Sequence, residues 1–257
     1  MSTINVTATA KVNLVLEVLD HGTDGYHEIS TILQEVAEPF DVIELKRSNK
    51  SSLKCNLKDI PLDETNSILK VINILRQSFG FKLNYQVSLT KGIPTLSGLG
   101  GSASDAAAVL KAIDADLGLE LSKSQKLDIL KQIGSDAAFF LEGGIQLGTG
   151  RGDKLSSLPS LPPCRIKVIE TGVKISTLEA YQKLDLPFPR TPIQTYKVVE
   201  GIRELDIDKV VENLHNDFEE QALREHPKIG QALEKAKADG ALRSMLTGSG
   251  GAVFAIY

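Results

Sequence analysis

From Pro94 to Ser104 the chain reads Pro-Thr-Leu-Ser-Gly-Leu-Gly-Gly-Ser-Ala-Ser, and a helix-forming run follows at once. Gly98, Gly100 and Gly101 allow backbone conformations closed to other residues and let an anion approach the main chain. The first N–H groups of the helix are unpaired donors at the positive end of its dipole. Together they make an anion site suited to phosphate. Ser102 and Ser104 add hydroxyls that can bond a phosphate oxygen or a magnesium-bound water, or cap the helix. A Walker A loop is excluded, because no Lys follows the final glycine. Gly98, Gly100 and Ala103 also satisfy the dinucleotide pattern G-x-G-x-x-A. That fold needs an acid ending a second strand about 20 residues on, whereas Asp114 and Asp116 close a helix and are followed by more helix. A tight strand-to-helix turn without a ligand is the plain alternative.

Other polar residues stand in informative surroundings. Asp136 precedes the apolar run Ala137–Leu141, which would hold its carboxylate in a partly dry place; the plain alternative is an N-cap. Lys11 interrupts a strand pattern where a solvated lysine would be unremarkable. Gly248–Gly251 precedes a strand, as a turn or as a second glycine loop. His21, His215 and His226 lack metal-ligand spacing and read as surface residues. Cys55 and Cys164 form no C-x-x-C pair, so neither a disulfide framework nor a zinc knuckle is expected, and a reducing compartment is the simplest setting.

The elements that must position these residues follow from periodicity. Val6–Leu19 alternates in a period of two and ends in the polar turn Asp20–Gly25. Val42–Leu45 and Tyr85–Leu89 predict strands, with a helix over Ser67–Ser78 between them. Ala107, Leu110, Ile113 and Leu117 predict an amphipathic helix from Ser104 that stops at Gly118. Another helix is expected over Leu127–Ile133, then an extended segment over Gln146–Leu155. The uncharged, proline-rich Ser156–Pro163 is the expected boundary between two domains, 1–155 and 164–257. Past it the pattern predicts strands at Ile166–Ile169 and Ala252–Tyr257, with helices around Leu178, over Val210–Leu223 and over Ile229–Ala236.

Bulk properties narrow the function class. A net charge of −4 with scattered Lys and Arg gives no basic stripe, so nucleic acid is not expected as a partner. No stretch approaches the roughly 18 apolar residues that span a bilayer, and the N-terminus lacks the apolar core of a signal peptide, so a cytoplasmic protein is expected. Hydrophobic residues at 42% and charged residues at 24% are ordinary globular proportions, which argue against disorder.

Pro94–Ser104 resembles the central P-x-x-x-G-L-G-S-S-A-S motif of the galactokinase, homoserine kinase, mevalonate kinase and phosphomevalonate kinase (GHMP) superfamily, with Gly101 in place of the first serine. The superfamily's outer motifs are matched by Ala10–Leu16 and Leu246–Phe254. Within it the chain is most similar to the 4-diphosphocytidyl-2-C-methyl-D-erythritol kinase family. Lys11-Val12-Asn13-Leu14 resembles that family's A-K-[LIV]-N-L, Asp24–His27 its D-G-Y-H, Gly134–Phe140 its G-A-D-V-P-F-F, Thr65-Asn66-Ser67 its D-N-L, and Asn216–Glu219 its N-D-F-E. Ala103 and Ala138 stand where members usually carry Ser and Pro, Ser102 where they carry Gly, and the chain ends at Tyr257, before the last helix and strand many members have.

The resemblance implies an α+β, two-domain GHMP kinase fold: an N-terminal ribosomal protein S5 domain 2-like domain and a C-terminal ferredoxin-like α/β sandwich. It implies ATP-dependent phosphorylation of the 2-hydroxyl of 4-diphosphocytidyl-2-C-methyl-D-erythritol, with Mg2+ on the ATP phosphates. Asp136 is then the general base and Lys11 its charged neighbour. Pro94, Gly98, Leu99, Gly100, Gly101, Ser102, Ala103, Ser104 and Asn66 serve ATP, Asn66 at the adenine. Tyr26 and Tyr181 stack on opposite faces of cytosine, and His27 bonds its edge. Asn13, Thr177, Gly248 and Gly250 serve the rest of the substrate. Mevalonate or homoserine phosphorylation, and a non-catalytic sensor on the same fold, are the alternatives. Retention of both Lys11 and Asp136 argues against the sensor.

Overall fold

The computed structural model describes residues 3–21, 27–81, 84–184 and 186–257. The turn expected over Asp20–Gly25 therefore lies largely outside the described residues. The chain forms two compact units and passes between them several times: Met1–Ala10, Pro39–Ile93 and Gly100–Glu142 make the first, Lys11–Glu38, Pro94–Leu99 and Gly143–Tyr257 the second. Two long strands, β1 (Thr3–His21) and β2 (His27–Ser48), contribute to both.

In the first unit β3 (Ser52–Cys55) is followed by α1 (Ser67–Phe79), β4 (Asn84–Thr90), α2 (Gly101–Leu117), α3 (Lys123–Lys131), a 3-10 turn over Ser135–Ala138, and α4 (Phe139–Glu142). β4 runs antiparallel to β2, from Thr90 opposite Val42 to Asn84 opposite Ser48, and parallel to β3. Ile43 and Leu45 on β2 and Tyr85, Val87 and Leu89 on β4 are buried while Glu44 and Gln86 are exposed, the period-two signature of one buried face. α1 is capped by Asn66 and stopped by Gly80 in a left-handed conformation. It packs on α2, whose residues Ala103–Leu110 are buried one after another. That run of small residues lets α2 be enclosed on most sides, so its burial is wider than the single stripe its periodicity predicts.

The second unit adds β5 (Ile145–Thr149), β6 (Lys154–Ser157), β7 (Ile166–Ile169), α5 (Thr177–Gln182), α6 (Ile193–Glu204), α7 (Ile207–Glu212), β8 (His215–Asn216), α8 (Glu219–Glu225), α9 (Pro227–Ala238), β9 (Arg243–Leu246) and β10 (Val253–Ile256). β1 lies between β2 and β8; β5 pairs antiparallel with β2, and β6 with β5. A second, antiparallel sheet has the order β7-β10-β9. Leu16, Val18, Phe218, Ile229, Leu246 and Val253 are buried members of one cluster in this unit.

Two expectations are corrected here, and one helix was not expected. The extended segment over Gln146–Leu155 is a hairpin, β5 and β6. The helix predicted over Val210–Leu223 is broken at Asn213–Phe218, where β8 pairs in parallel with β1, Val15 opposite His215. The helix α6 was not expected because much of what starts it is distant. Its N-cap position is Pro192, with no side-chain cap, and the buried Glu17 carboxylate on β1 accepts from Gln194 N (3.0 Å), Thr195 N (2.9 Å) and Thr195 Oγ1 (2.6 Å) instead.

Candidate active site

Three sequence-distant segments meet in the second unit. Lys11 on β1 is only 3% exposed, which overturns the reading of a solvated lysine. Its main-chain N–H donates to Leu99 O in the glycine-rich turn (3.0 Å), and its ammonium donates to Asn13 Oδ1 (2.6 Å). Asn13 in turn donates from its main chain to Thr247 Oγ1 (3.0 Å) and from Nδ2 to Thr31 Oγ1 (2.8 Å), which donates to Val15 O. Ala252 N donates to Ser97 O at 3.0 Å, tying the C-terminal glycine loop to the same turn. The approach is tight: Gly98 has φ +82°, and a Cβ there would lie 2.2 Å from Thr247 O. Only glycine fits such a backbone at such a distance.

Asn216 explains the N-D-F-E motif. Its Nδ2 donates to Leu246 O (3.0 Å) and Gly248 O (2.8 Å), and its Oδ1 accepts from Phe218 N, so it braces the loop that carries Gly248 and Gly250. Thr177 opens α5 and accepts a hydrogen bond from Ser249 Oγ at 2.9 Å. Thr31, Thr247 and Asn216 were not singled out as site residues from sequence. Their signal was the need of buried Asn13 and of the loop carbonyls for partners.

In the first unit Gly100, at φ 75°, is the N-cap of α2, with no side-chain cap; neither Ser102 nor Ser104 caps it as expected. Ser104 N donates to Gly100 O at 2.9 Å, so the main-chain donors kept for an anion are those of Gly101–Ala103. A buried cluster lies against it. Asp41 Oδ1 accepts from Gly92 N and Ile93 N, both 2.8 Å, while Oδ2 receives the Lys91 ammonium, which also bonds Asp105 Oδ2 on α2 at 3.0 Å. A Cβ on Gly101 would come within 3.0 Å of Lys91 Nζ and of Ile93. Burial, opposed by Lys91 and reinforced by Asp41, pushes the Asp105 carboxyl up to about 7. One lysine faces two carboxylates, so the second negative charge is surplus.

Asn66 accepts from Ile68 N and donates to Pro61 O, both 2.9 Å, so its amide shapes the entry to α1; Ser67 Oγ donates to Ser102 O at 2.8 Å. Asp136 sits half-buried in the 3-10 turn before buried Ala137, Ala138, Phe139 and Phe140. The N-cap position there is Gly134, so the capping reading of Asp136 fails. Pro94 lies in the second unit with Gly98 and Leu99, and Gly100–Ser104 lie in the first.

Tyr26 falls outside the described residues. His27 and Tyr181 are neighbours, ring centroids 4.7 Å apart. Burial, and then the nearby His21, lower the His27 pKa from the usual histidine value, so its ring is neutral at pH 7. His21 is exposed, as expected, but belongs to this ring group, which its sequence position did not reveal. Among the described residues no group of three or more His, Cys, Asp or Glu could hold a metal ion. Nor is any helix among them long and apolar enough to cross a membrane.

Residues 66–144 match the family described as GHMP kinases N terminal domain, and residues 198–257 that described as GHMP kinases C terminal. A protein of Thermoanaerobacter pseudethanolicus named 4-diphosphocytidyl-2-C-methyl-D-erythritol kinase is 37% identical over 257 residues, 100% of this chain and 88% of that one. A protein of the same name from Listeria monocytogenes serotype 4b is 34% identical over 255 residues, 98% and 86% of the two chains. A crystal structure of 4-(cytidine 5'-diphospho)-2C-methyl-D-erythritol kinase matches with a TM-score of 0.79 and 26% identity, over 98% of this chain and 90% of that one. A homoserine kinase from Cytophaga hutchinsonii, 23% identical with a TM-score of 0.75 over 100% and 85% of the chains, shares the fold. With two GHMP matches in order and full-length relatives above 30% identity, the chain belongs to the 4-diphosphocytidyl-2-C-methyl-D-erythritol kinase family of GHMP kinases.

Proposed function

We propose that this chain transfers the γ-phosphoryl group of ATP to the 2-hydroxyl of 4-diphosphocytidyl-2-C-methyl-D-erythritol, a cytoplasmic step toward isoprenoid precursors by the non-mevalonate route. The N-terminal GHMP domain spans 1–155 and the C-terminal one 164–257, and each family match falls inside one of these ranges. The observation that carries the reading is the hydrogen-bonded meeting of buried Lys11 and Asn13 with the turn at Leu99 and the loop at Thr247. A lysine enclosed with polar partners beside a glycine-rich turn supports a role in phosphate chemistry rather than in solubility.

The substrate oxygen attacks the γ-phosphorus in line, an O–P bond forms, the bond to the β,γ-bridging oxygen breaks, and ADP leaves. Asp136 takes the hydroxyl proton. Lys11 offsets the charge that gathers on the reacting oxygens. Main-chain donors of Gly100–Ala103 and the Ser104 hydroxyl hold the phosphates, with Pro94, Gly98 and Leu99 shaping the turn and Asn66 serving the adenine. Asn13, Thr177, Gly248 and Gly250 orient the methylerythritol end; Tyr26, His27 and Tyr181 take the cytosine. Mg2+ bound to the ATP phosphates would offset their charge and would keep most of its water, which the exposed Ser102 hydroxyl would meet.

The test is a coupled ADP-release assay with the cytidyl substrate, mevalonate and homoserine side by side. Turnover with the cytidyl compound alone is expected. Preference for either of the others, or nucleotide binding with no ADP release from any of the three, refutes the assignment.

A further inference from the structure

Five rings in the second unit follow one another at nearly constant spacing. Phe188 meets His21 edge-on with centroids 4.3 Å apart, His21 meets His27 at 4.6 Å, His27 meets Tyr181 at 4.7 Å, and Tyr181 meets buried Phe218 at 4.8 Å. One atom in this ladder stands out: His27 Nε2 is buried without a hydrogen-bond partner among the described residues. Leaving a buried polar atom unpaired is costly, which points to a ligand group that completes it. The ring is neutral, so it offers one donor and one acceptor.

Phe188 is held in place by the residues that follow it. Arg190 N donates to Leu19 O at 2.8 Å, and its guanidinium Nη1 donates to Val18 O (3.1 Å) and to Asp217 Oδ2 (2.5 Å). Asp217 also accepts from Val18 N at 2.6 Å and faces His215 Nε2 at 2.7 Å. The segment bearing Phe188 is thereby tied to the end of β1, two residues from His21.

We propose that Phe188, acting through His21, is a positioning residue that fixes the His27 imidazole against a pyrimidine edge and so selects cytidine over uridine nucleotides. The proposal rests on the reading of His27 and Tyr181 as the nucleobase site. Cytosine presents an amino donor where uracil presents a carbonyl acceptor, and its ring nitrogen at position 3 accepts where that of uracil donates. A fixed neutral imidazole matches one of these patterns. A ring free to turn could present either nitrogen and match both. The edge contact of Phe188 on His21, and the tilted contact of His21 on His27, restrain that rotation.

The test titrates CDP and UDP calorimetrically into the full chain with a non-hydrolysable ATP analogue saturating the other nucleotide site, for wild type, Phe188→Leu, Phe188→Tyr and His27→Ala. Leu keeps apolar packing against the neighbouring core but removes the ring edge. Phe188→Leu should keep its unfolding temperature, kcat and KM for ATP while CDP binding weakens roughly 2- to 12-fold, the range of an aromatic pair contact. The CDP-to-UDP preference should narrow by the same factor, and Phe188→Tyr should restore it. An unchanged preference in Phe188→Leu, or equal weakening toward both nucleotides, overturns the proposal. If His27→Ala then still abolishes CDP binding, the nucleobase reading stands without it. A wild-type chain that binds neither nucleotide overturns both.

Discussion

Replacing Gly98 by alanine tests whether the meeting of the two glycine loops is as tight as the geometry requires. Gly98 has φ +82°, and an added Cβ would lie 2.2 Å from Thr247 O and 3.0 Å from Gly250 O, both main-chain atoms. Gly118, the residue that ends α2, has φ +60° and nothing within 4 Å of an added Cβ, so it serves as the control. Both alanines carry the left-handed backbone penalty of about 1–2 kcal/mol. Gly98→Ala adds overpacking of about 1–3 kcal/mol, because the carbonyls it meets cannot swing aside as a side chain could. The expected destabilisation is then about 2–5 kcal/mol against about 1–2 for the control. At roughly 2–4 °C per kcal/mol for a chain of this size, calorimetry should show a clearly larger drop in Tm for Gly98→Ala. The strain falls where Thr247 receives Asn13 and where Leu99 receives Lys11, so turnover should fall with Gly98→Ala and hold with Gly118→Ala. Equal Tm shifts in the two variants, or Gly98→Ala with wild-type kcat/KM, would refute the tight convergence.

Three further outcomes are expected. Asp136→Asn and Lys11→Ala should each cut kcat by about 10²- to 10⁴-fold while calorimetry still detects ATP binding; near-normal turnover in either removes that residue from the mechanism. Glu17→Gln replaces one of the two side-chain oxygens that together accept three hydrogen bonds at the start of α6, and should destabilise the chain by about 1–3 kcal/mol in urea unfolding, with no effect counting against a structural role for that side chain. Asp105, raised to about 7 in the folded chain from near 4 unfolded, contributes stability that is complete below pH 4 and lost as pH rises through 7. Asp105→Asn stays neutral throughout, so its Tm minus that of wild type should rise from pH 5 to pH 8; a difference that falls over that range contradicts the surplus-carboxylate account.

What was legible in the sequence was local. Gly98–Ser104 announces a glycine-rich turn into a helix because its glycines, its serines and the helix after it are contiguous, and Gly118 announces the end of that helix for the same reason. α6 was missed because the carboxylate that holds its first turn stands 178 positions away from Thr195. The ring ladder was missed in part because Phe188 and His21 become neighbours only after the chain has folded.

Lys11 is the instructive case, since composition favours a solvated lysine at one interruption in a strand. A wider window holds the corrective signal. Lys11, Asn13 and Glu17 occupy alternate positions and therefore share one face of β1, while Val12, Leu14, Leu16 and Val18 share the other. If the first face were solvated, the Val15 among those polar residues would need no cover, yet every residue from Ala10 to Leu16 is buried. A row of polar side chains on an enclosed strand face must be matched by donors and acceptors from elsewhere in the chain. Thr31, Thr195, Thr247 and the turn at Leu99 supply partners to that stretch of β1, so the polar row that reads as surface in one dimension is enclosed and paired in three.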